Sequence, residues 1–392
     1  MTVAIVTDTT TDTAPHALAL KAEDDLNMRV LGQRHMVRAL FMAVLCRAHV
    51  AVIGPPGEGK TMAAQMLARD YVSGWTSYYH LLTRYTTPDE VLGHFSLSKL
   101  QQDLYERHTS AKAPEAQIVI LDEIYKANSP MLNALLGLLN ERVYDDGKPA
   151  ALHTLIGCSN EYPRANYGDD AVDALWDRFL FRVEIGRAGS SHLRQLMVGV
   201  EDIGAGCSPL APQTLADLQE RVITISRALP ERVIDTLMNL HAELITQGID
   251  VSTRRMVQAK RAIAACAVLA GRDCASIRDL QCLSSVLWTK PEDREPLRRA
   301  LMGVSSPVSN LVTTIRRELA GKMEAVDNAS GADLTACRFD LLDWIKKTGV
   351  DLRKVDCKGD RDDETELSEL LDDLRRVHHE QMTKYSSEEV EF

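Results

Sequence analysis

"HVAVIGPPGEGKT", residues 49–61, decides the fold class. Five residues of strand character run into a glycine-rich turn, and helical spacing follows from Thr61 to about Tyr71. The turn fits G-x-x-x-x-G-K-[ST] in full. Gly54, Gly57 and Gly59 let the backbone bend so that successive N–H groups face phosphate oxygens. The start of the helix adds the positive end of its dipole. Lys60 can reach the β- and γ-phosphates, and the Thr61 hydroxyl can ligate magnesium. The run Gly54, Pro55, Pro56, Gly57, Glu58, Gly59, Lys60, Thr61 and Met62 is therefore the candidate nucleotide-binding segment.

A second stretch, "IVILDEIYKAN" at 118–128, ends an apolar strand in two adjacent carboxylates, Asp122 and Glu123. An unpartnered charge is expensive to bury, so a cation is expected beside them. In a phosphate-loop protein the strand neighbouring the loop carries an acid toward bound Mg²⁺. Asp122 fills that role, usually through water, and Glu123 is placed to polarise the water that attacks the γ-phosphate. Such a pair is not expected in a GTPase or a small-molecule kinase.

Outward from these motifs, "YYHLLTR" (78–84) is a second short apolar segment, "LHTLIGCSN" (152–160) and "FLFRVEIG" (179–186) read as further buried strands, and a helix starts after Pro130. Strands alternating with helices predict an α/β fold, a parallel sheet flanked by helices. Residues 86–108 read as an insertion. After Gly189 strand signals stop, and Ser252 or Thr253 is placed to cap a helix running to about Leu269. The expected organisation is a flexible N-terminal tail (1–28), an αβα nucleotide-binding domain (29–189), an all-helical lid (190–300) and a helical, acidic C-terminal region (301–392). In that last region Leu367, Leu370, Leu374 and Val377 space like one helix stripe, a candidate docking face.

The chain of 392 residues has 45% hydrophobic and 26% charged residues, as ordinary globular proteins do. No apolar run approaches the ~20 residues of a membrane span. The N-terminus does not read as a signal peptide, and eight scattered cysteines without a C-x-x-C pair favour a reducing, cytoplasmic setting. Of the net charge of −11, most lies in residues 351–392, where 14 acidic residues face 7 Lys and Arg. That balance offers no basic footprint for nucleic acid.

Three blocks carry a family resemblance: "GPPGEGKT", then "TTPDEVLGHFSLSKLQ…QIVILDEIYKANSPMLNALLGLLNER", then "CSNEYPRA…ALWDRFLFR". With them the chain resembles AAA+ ATPases, and among these the MoxR family, in particular its RavA-like branch. The resemblance covers roughly 50–190 and extends weakly through "VSTRR" and "LAGRD" to about 290. It implies ATP and Mg²⁺ as cofactors, with Asn160 as the sensor that holds the attacking water beside Glu123. Arg178 in "WDRFLFR" matches the arginine finger, which serves the neighbouring subunit's nucleotide; Arg182 is the second choice. Arg254 in "STRR" matches the γ-phosphate contact of the lid, with Arg255 as fallback. Gly32 and Gln33 in "LGQ" match the segment beside the adenine base. Arg142, after a helix that faces the subunit boundary in related proteins, is a candidate for a further trans role. The family further implies a homo-hexameric ring that remodels or activates a protein client in a chaperone-like way. A protein with a von Willebrand factor A domain is the expected partner. Two other functions compete: a nucleic-acid-stimulated motor, and a nucleotide-gated scaffold with little turnover.

Overall fold

In the computed structural model the described residues are 14–145, 147–163, 170–187, 189, 192–194, 197, 209–304, 307–330, 332–355 and 361–388. The core is a five-stranded, all-parallel sheet of β1 (His49–Ile53), β2 (Ser77–Leu81), β3 (Ile118–Asp122), β6 (Thr154–Ser159) and β7 (Phe179–Glu184), in the order β2-β3-β6-β1-β7. β1 and β6 are buried along their whole length, because helices cover both faces. β2, at the edge, alternates exposed and half-buried residues and stops at Leu81, short of the expected Arg84. There Leu82 N donates to Asp122 O, and Thr83 and Thr86 form a turn.

The strand order corrects one expectation. β3, with the carboxylate pair, does not adjoin β1; β6 is hydrogen-bonded between them. A second correction concerns the N-terminus. Within the expected tail, Pro15–Arg29 forms α1, whose Ala19, Ala22 and Leu26 are buried at helical spacing. Asp25 accepts the Tyr71 hydroxyl and Glu23 pairs with Arg38 at 2.6 Å, so α1 is tied to the core by side chains as well as by packing. Residues 1–13 of that tail lie outside the described residues.

α2 (Arg34–Cys46) leads into β1, and α3 (Lys60–Met66) follows the glycine loop, ending in a wider turn over Leu67–Tyr71. α4 (Pro88–Leu92) and α5 (Leu97–Leu100) belong to the expected insertion, where Phe95 and Arg107 form an antiparallel bridge. α6 (Ser129–Asn140) starts with the Asn128 side chain accepting from Met131 N at 3.0 Å and leads to a small hairpin, β4 (Val143–Tyr144) and β5 (Lys148–Pro149). Arg107 fastens these parts together. Its guanidinium meets Asp89 of α4, Asp145 of the hairpin and Gly93 O, and lies 4.0 Å over the Phe95 ring.

α7 (Asp170–Arg178) runs directly into β7. Helices α8 (Pro212–Arg227), α9 (Glu231–Thr246) and α10 (Thr253–Leu269) follow. Ser252 caps α10, its side chain accepting from Arg255 N at 3.3 Å.

The chain forms two compact units, Met1–Leu297 and Arg298–Phe392. The second unit contains α11 (Pro307–Asn328), α12 (Ala332–Leu352) and α13 (Arg361–Glu388). Leu367, Leu370, Leu374 and Val377 are buried there with Val312, Ile315, Leu319, Leu341 and Ile345. The stripe expected to dock elsewhere is instead the core of this unit, since three amphipathic helices bury their apolar faces against one another.

Candidate nucleotide-binding and hydrolysis site

The glycine loop leaves β1 at Gly54, whose N–H donates to Ser159 O of β6 at 3.1 Å. A Cβ on Gly54 would lie 2.5 Å from the Ile185 side chain and 2.7 Å from its carbonyl oxygen. Gly57 and Gly59 have φ of 84° and 79°, which a side chain would resist. Val30 and Met62 lie beside Gly59, so the segment before α2 and the first turn of α3 border the loop. In that segment Gly32 has φ 79°, and Gln33 is buried with its amide donating to Gly186 O at 3.1 Å. Both are thus held near the loop, tying the end of β7 to the segment proposed to face the base.

Lys60 is buried and its ammonium makes three 2.8 Å bonds, to Gly54 O, Pro55 O and Asn160 Oδ1. Burial pushes its pKa down, while Cys158, Asp122, Glu123 and Glu58 act in the opposite direction. The Thr61 hydroxyl donates to Asp122 Oδ2 at 2.8 Å, and Asp122 Oδ1 accepts from Glu123 N at 3.0 Å. Glu123 itself sits at φ 55°, a conformation that costs a non-glycine residue about 1–2 kcal/mol. That twist turns its side chain from the line of β3 toward β6. There Asn160 Nδ2 donates to Glu123 Oε1, and Lys126 approaches the same oxygen at 3.1 Å. The other oxygen, Oε2, is buried with no hydrogen-bond partner. Inserting β6 between β1 and β3 thus puts Asn160 between the loop lysine and the Glu123 carboxylate.

The donor set fits magnesium. Thr61 and Asp122 offer one hydroxyl and one carboxylate as hard oxygen donors beside the phosphate loop, the sparse protein ligation typical of Mg²⁺ on phosphates. No cluster of three or more His, Cys, Asp or Glu occurs among the described residues, so nothing there resembles an all-protein metal cage.

The arginines fall elsewhere. Arg178 ends α7, just before β7, and β7 starts opposite His49, the first residue of β1. Arg254 lies with it in a pocket that also includes Arg47, Arg142, Gln258 and Arg261. This pocket is at the start of β1 and the phosphate loop is at its end; five residues at about 3.3 Å each separate them by roughly 16 Å. The structure therefore groups Lys60, Thr61, Asp122, Glu123 and Asn160 with Gly32 and Gln33, and keeps Arg178 and Arg254 apart from them. Arg178 donates to Ala174 O at 2.7 Å, and its Nε is buried without a partner.

The two fallback arginines have structural work. Arg182 is 1% exposed, donates to Trp288 O and Trp176 O, and lies 4.3 Å over the Trp176 ring. Arg255, 2% exposed, donates to Phe179 O, Leu180 O, Val286 O and Asp177 O. Trp176 is buried, with its indole N–H donating to Thr289 O. Arg142 lines the pocket with its guanidinium holding Leu152 O, His153 O and Arg47 O. Burial, with Arg47 and Arg261 nearby, pulls its pKa down to about 10.

Arg47 and Arg261 were not singled out by the sequence. A usable signal existed for Arg47: it stands two residues before β1, which in a parallel sheet is the end away from the loop. Arg261 is two helical turns beyond Arg254, and only the fold brings it there.

Comparison with known proteins agrees with this fold. A family model described as the MoxR domain in the MoxR-vWA-beta-propeller ternary systems matches residues 18–214, and an AAA lid domain model matches 232–301. Two uncharacterized proteins of Methanocaldococcus jannaschii are 28% and 29% identical, over 85% and 87% of this chain and 85% and 83% of theirs. The chaperone MoxR1 of Mycobacterium tuberculosis is 26% identical over 43% of this chain and 44% of its own. A crystal structure of a Cytophaga hutchinsonii protein assigned as an ATPase aligns with a TM-score of 0.58 at 15% identity, covering 74% of this chain and 94% of that one, which shows the shared fold.

Proposed function

The chain belongs to the MoxR-domain family of AAA+ proteins, and from that premise we propose that it hydrolyses ATP and uses the cycle to act on a protein partner. One observation carries the reading. Lys60, Asn160 and Glu123 form a continuous hydrogen-bonded line from the phosphate loop to a carboxylate whose second oxygen is buried and unpaired.

In this reading Glu123 Oε2 accepts a proton from the attacking water while Asn160 fixes the direction of the carboxylate. Thr61 and Asp122 would hold Mg²⁺, which neutralises charge on the phosphate oxygens. Gly54 through Met62 cradle the phosphates, and Gly32 and Gln33 border the base. Arg178, roughly 16 Å from its own loop, serves the nucleotide of a neighbouring copy; a trans arginine is worth about 10³–10⁵ in rate, roughly 4–7 kcal/mol of barrier. A site shared in this way needs an oligomer, and a homo-hexameric ring in the cytoplasm is the arrangement we propose. The domain scheme follows: an αβα domain through 189, a lid through 300 and a helical appendage beyond it.

The family's description places MoxR domains in systems with vWA and β-propeller components, which supports a vWA-domain protein as partner, and the relative named chaperone MoxR1 supports chaperone-like remodelling as the task. A RavA-like position within the family is our further proposal, resting on the three sequence blocks together.

Glu123→Gln tests the core of this reading. The variant keeps the side chain's shape and leaves Asp122 and Thr61 untouched. ATP binding, followed with a fluorescent analogue, should stay within about twofold, and phosphate release should fall by about 10²–10⁴. Release at the parental rate would remove Glu123 from the mechanism.

A further inference from the structure

We propose that the arginine pocket at the start of β1 is an anion site for the triphosphate of a nucleotide held on a second copy of the chain, with Arg47 and Arg261 as phosphate-contacting residues beside Arg178 and Arg254. The inference rests on the trans reading above and extends it to two residues and to the chemistry of their ligand.

Arg47, Arg142, Arg178, Arg254 and Arg261 line one cavity of about 280 Å³, and among the described residues no Asp or Glu lines it with them. Among those residues, too, none of the five has a carboxylate partner. Like charges gathered in a partly desolvated cavity repel one another. Arg142 registers that repulsion, its pKa lowered to about 10 by burial and then by Arg47 and Arg261. A polyanion turns the same repulsion into binding.

The second observation is the Nε of Arg178, a buried donor without an acceptor. Leaving a charged donor unmade is costly, and a phosphate oxygen satisfies it. The cavity has room for such a ligand. Pockets for whole small molecules run to about 300–1,000 Å³. At about 280 Å³ this one lies just under the small end of that range and accommodates a phosphate tail. The chain's own loop cannot supply that tail, because β1 lies between them.

Arg47 and Arg261 are exposed, so replacing them does not open the core; Arg142 is left intact because it holds three carbonyl groups. Arg47 has φ 50°, so Asn is the tolerated replacement there. The first measurement uses the full chain carrying Lys60→Ala, titrated calorimetrically with tripolyphosphate. We expect one anion per chain, with affinity at least tenfold lower once Arg47→Asn and Arg261→Gln are added. No binding to Lys60→Ala, or binding that the added pair leaves unchanged, overturns the proposal.

The second measurement keeps Lys60. Arg47→Asn/Arg261→Gln should lower kcat at least tenfold while a fluorescent ATP analogue binds each subunit as before. Parental kcat in this pair alongside an inactive Arg178→Ala overturns the anion site and leaves the trans arginine standing. Parental kcat in Arg178→Ala overturns both.

Discussion

The two ends of β1 differ in how they treat positive charge. At the end carrying the glycine loop, the buried Lys60 is surrounded by two carbonyls and an amide oxygen, with Asp122 and Glu123 close by. At the other end five arginines share a cavity that no acid lines among the described residues. The first arrangement sets its cation among oxygen acceptors and acids, and in the proposed reading it holds a phosphate chain while the acids manage metal and water. The second is complete only with an anion from outside. On the proposed reading a single subunit carries the two halves of an ATPase site at opposite ends of β1, roughly 16 Å apart.

The comparison breaks most decisively in mixed assemblies. Lys60→Ala should abolish ATP binding, and Arg178→Ala should lower turnover by about 10³–10⁵ with binding retained. Mixed subunits should recover activity at interfaces that join an intact Lys60 to an intact Arg178, and recovery should rise with protein concentration. Subunit exchange is first shown with labelled protein. Exchange without recovery at any ratio would mean that each end acts alone.

A smaller effect sharpens the account of the loop end. Asn160→Ala removes the side chain that bridges Lys60 and Glu123, and turnover should drop by about 10²–10³, the usual loss for one aligned polar group. Asn160→Asp should also fail, because a second carboxylate would repel Glu123. An active Asp variant would show that the amide's donor is not needed.

The smallest effect concerns the arginine end. His49 is buried beneath it, bonded to Leu139 O at 2.8 Å and accepting from Leu155 N at 3.0 Å, and burial lowers its pKa to about 4. The unfolded chain binds this proton near pH 6.5 and the folded chain only near 4, so stability is lost as pH falls through that window. Between pH 6.5 and 5.5 the stability lost through His49 should be about 1 kcal/mol. Denaturant unfolding of the parent and His49→Gln at the two pH values measures it. Equal pH dependence in both would show that His49 is not the group responsible.

The sequence made the loop end legible because its chemistry is local: a lysine, a threonine and three glycines within eight residues, and two acids ending one strand. Asn160 could be named from a family motif, yet its place between Lys60 and Glu123 depends on β6 lying between β1 and β3. Strand order leaves no trace in the pattern of any one strand. The arginine end was harder for the same reason, since Arg47, Arg178 and Arg261 come from three separate segments. α1 was missed because its buried Ala19, Ala22 and Leu26 follow a Thr/Asp-rich run and are interleaved with acids. For Leu367 to Val377 the helix was readable but its partner was not, because an amphipathic stripe looks alike whether it meets its own unit or another molecule.

The Arg107 node has a mechanical consequence. By contacting α4, the Phe95 segment and the β4–β5 hairpin, it joins three short pieces into one cross-linked block that carries the exposed Leu97 and Tyr105. α6 joins that block to the turn after Glu123, and its 12 residues span about 18 Å. A rotation of about 5° at the Asn128 end swings the far end by about 1.6 Å over that length. Because Arg107 ties these segments to one another, a displacement of the block carries the exposed Leu97 and Tyr105 with it, as at the end of a lever arm.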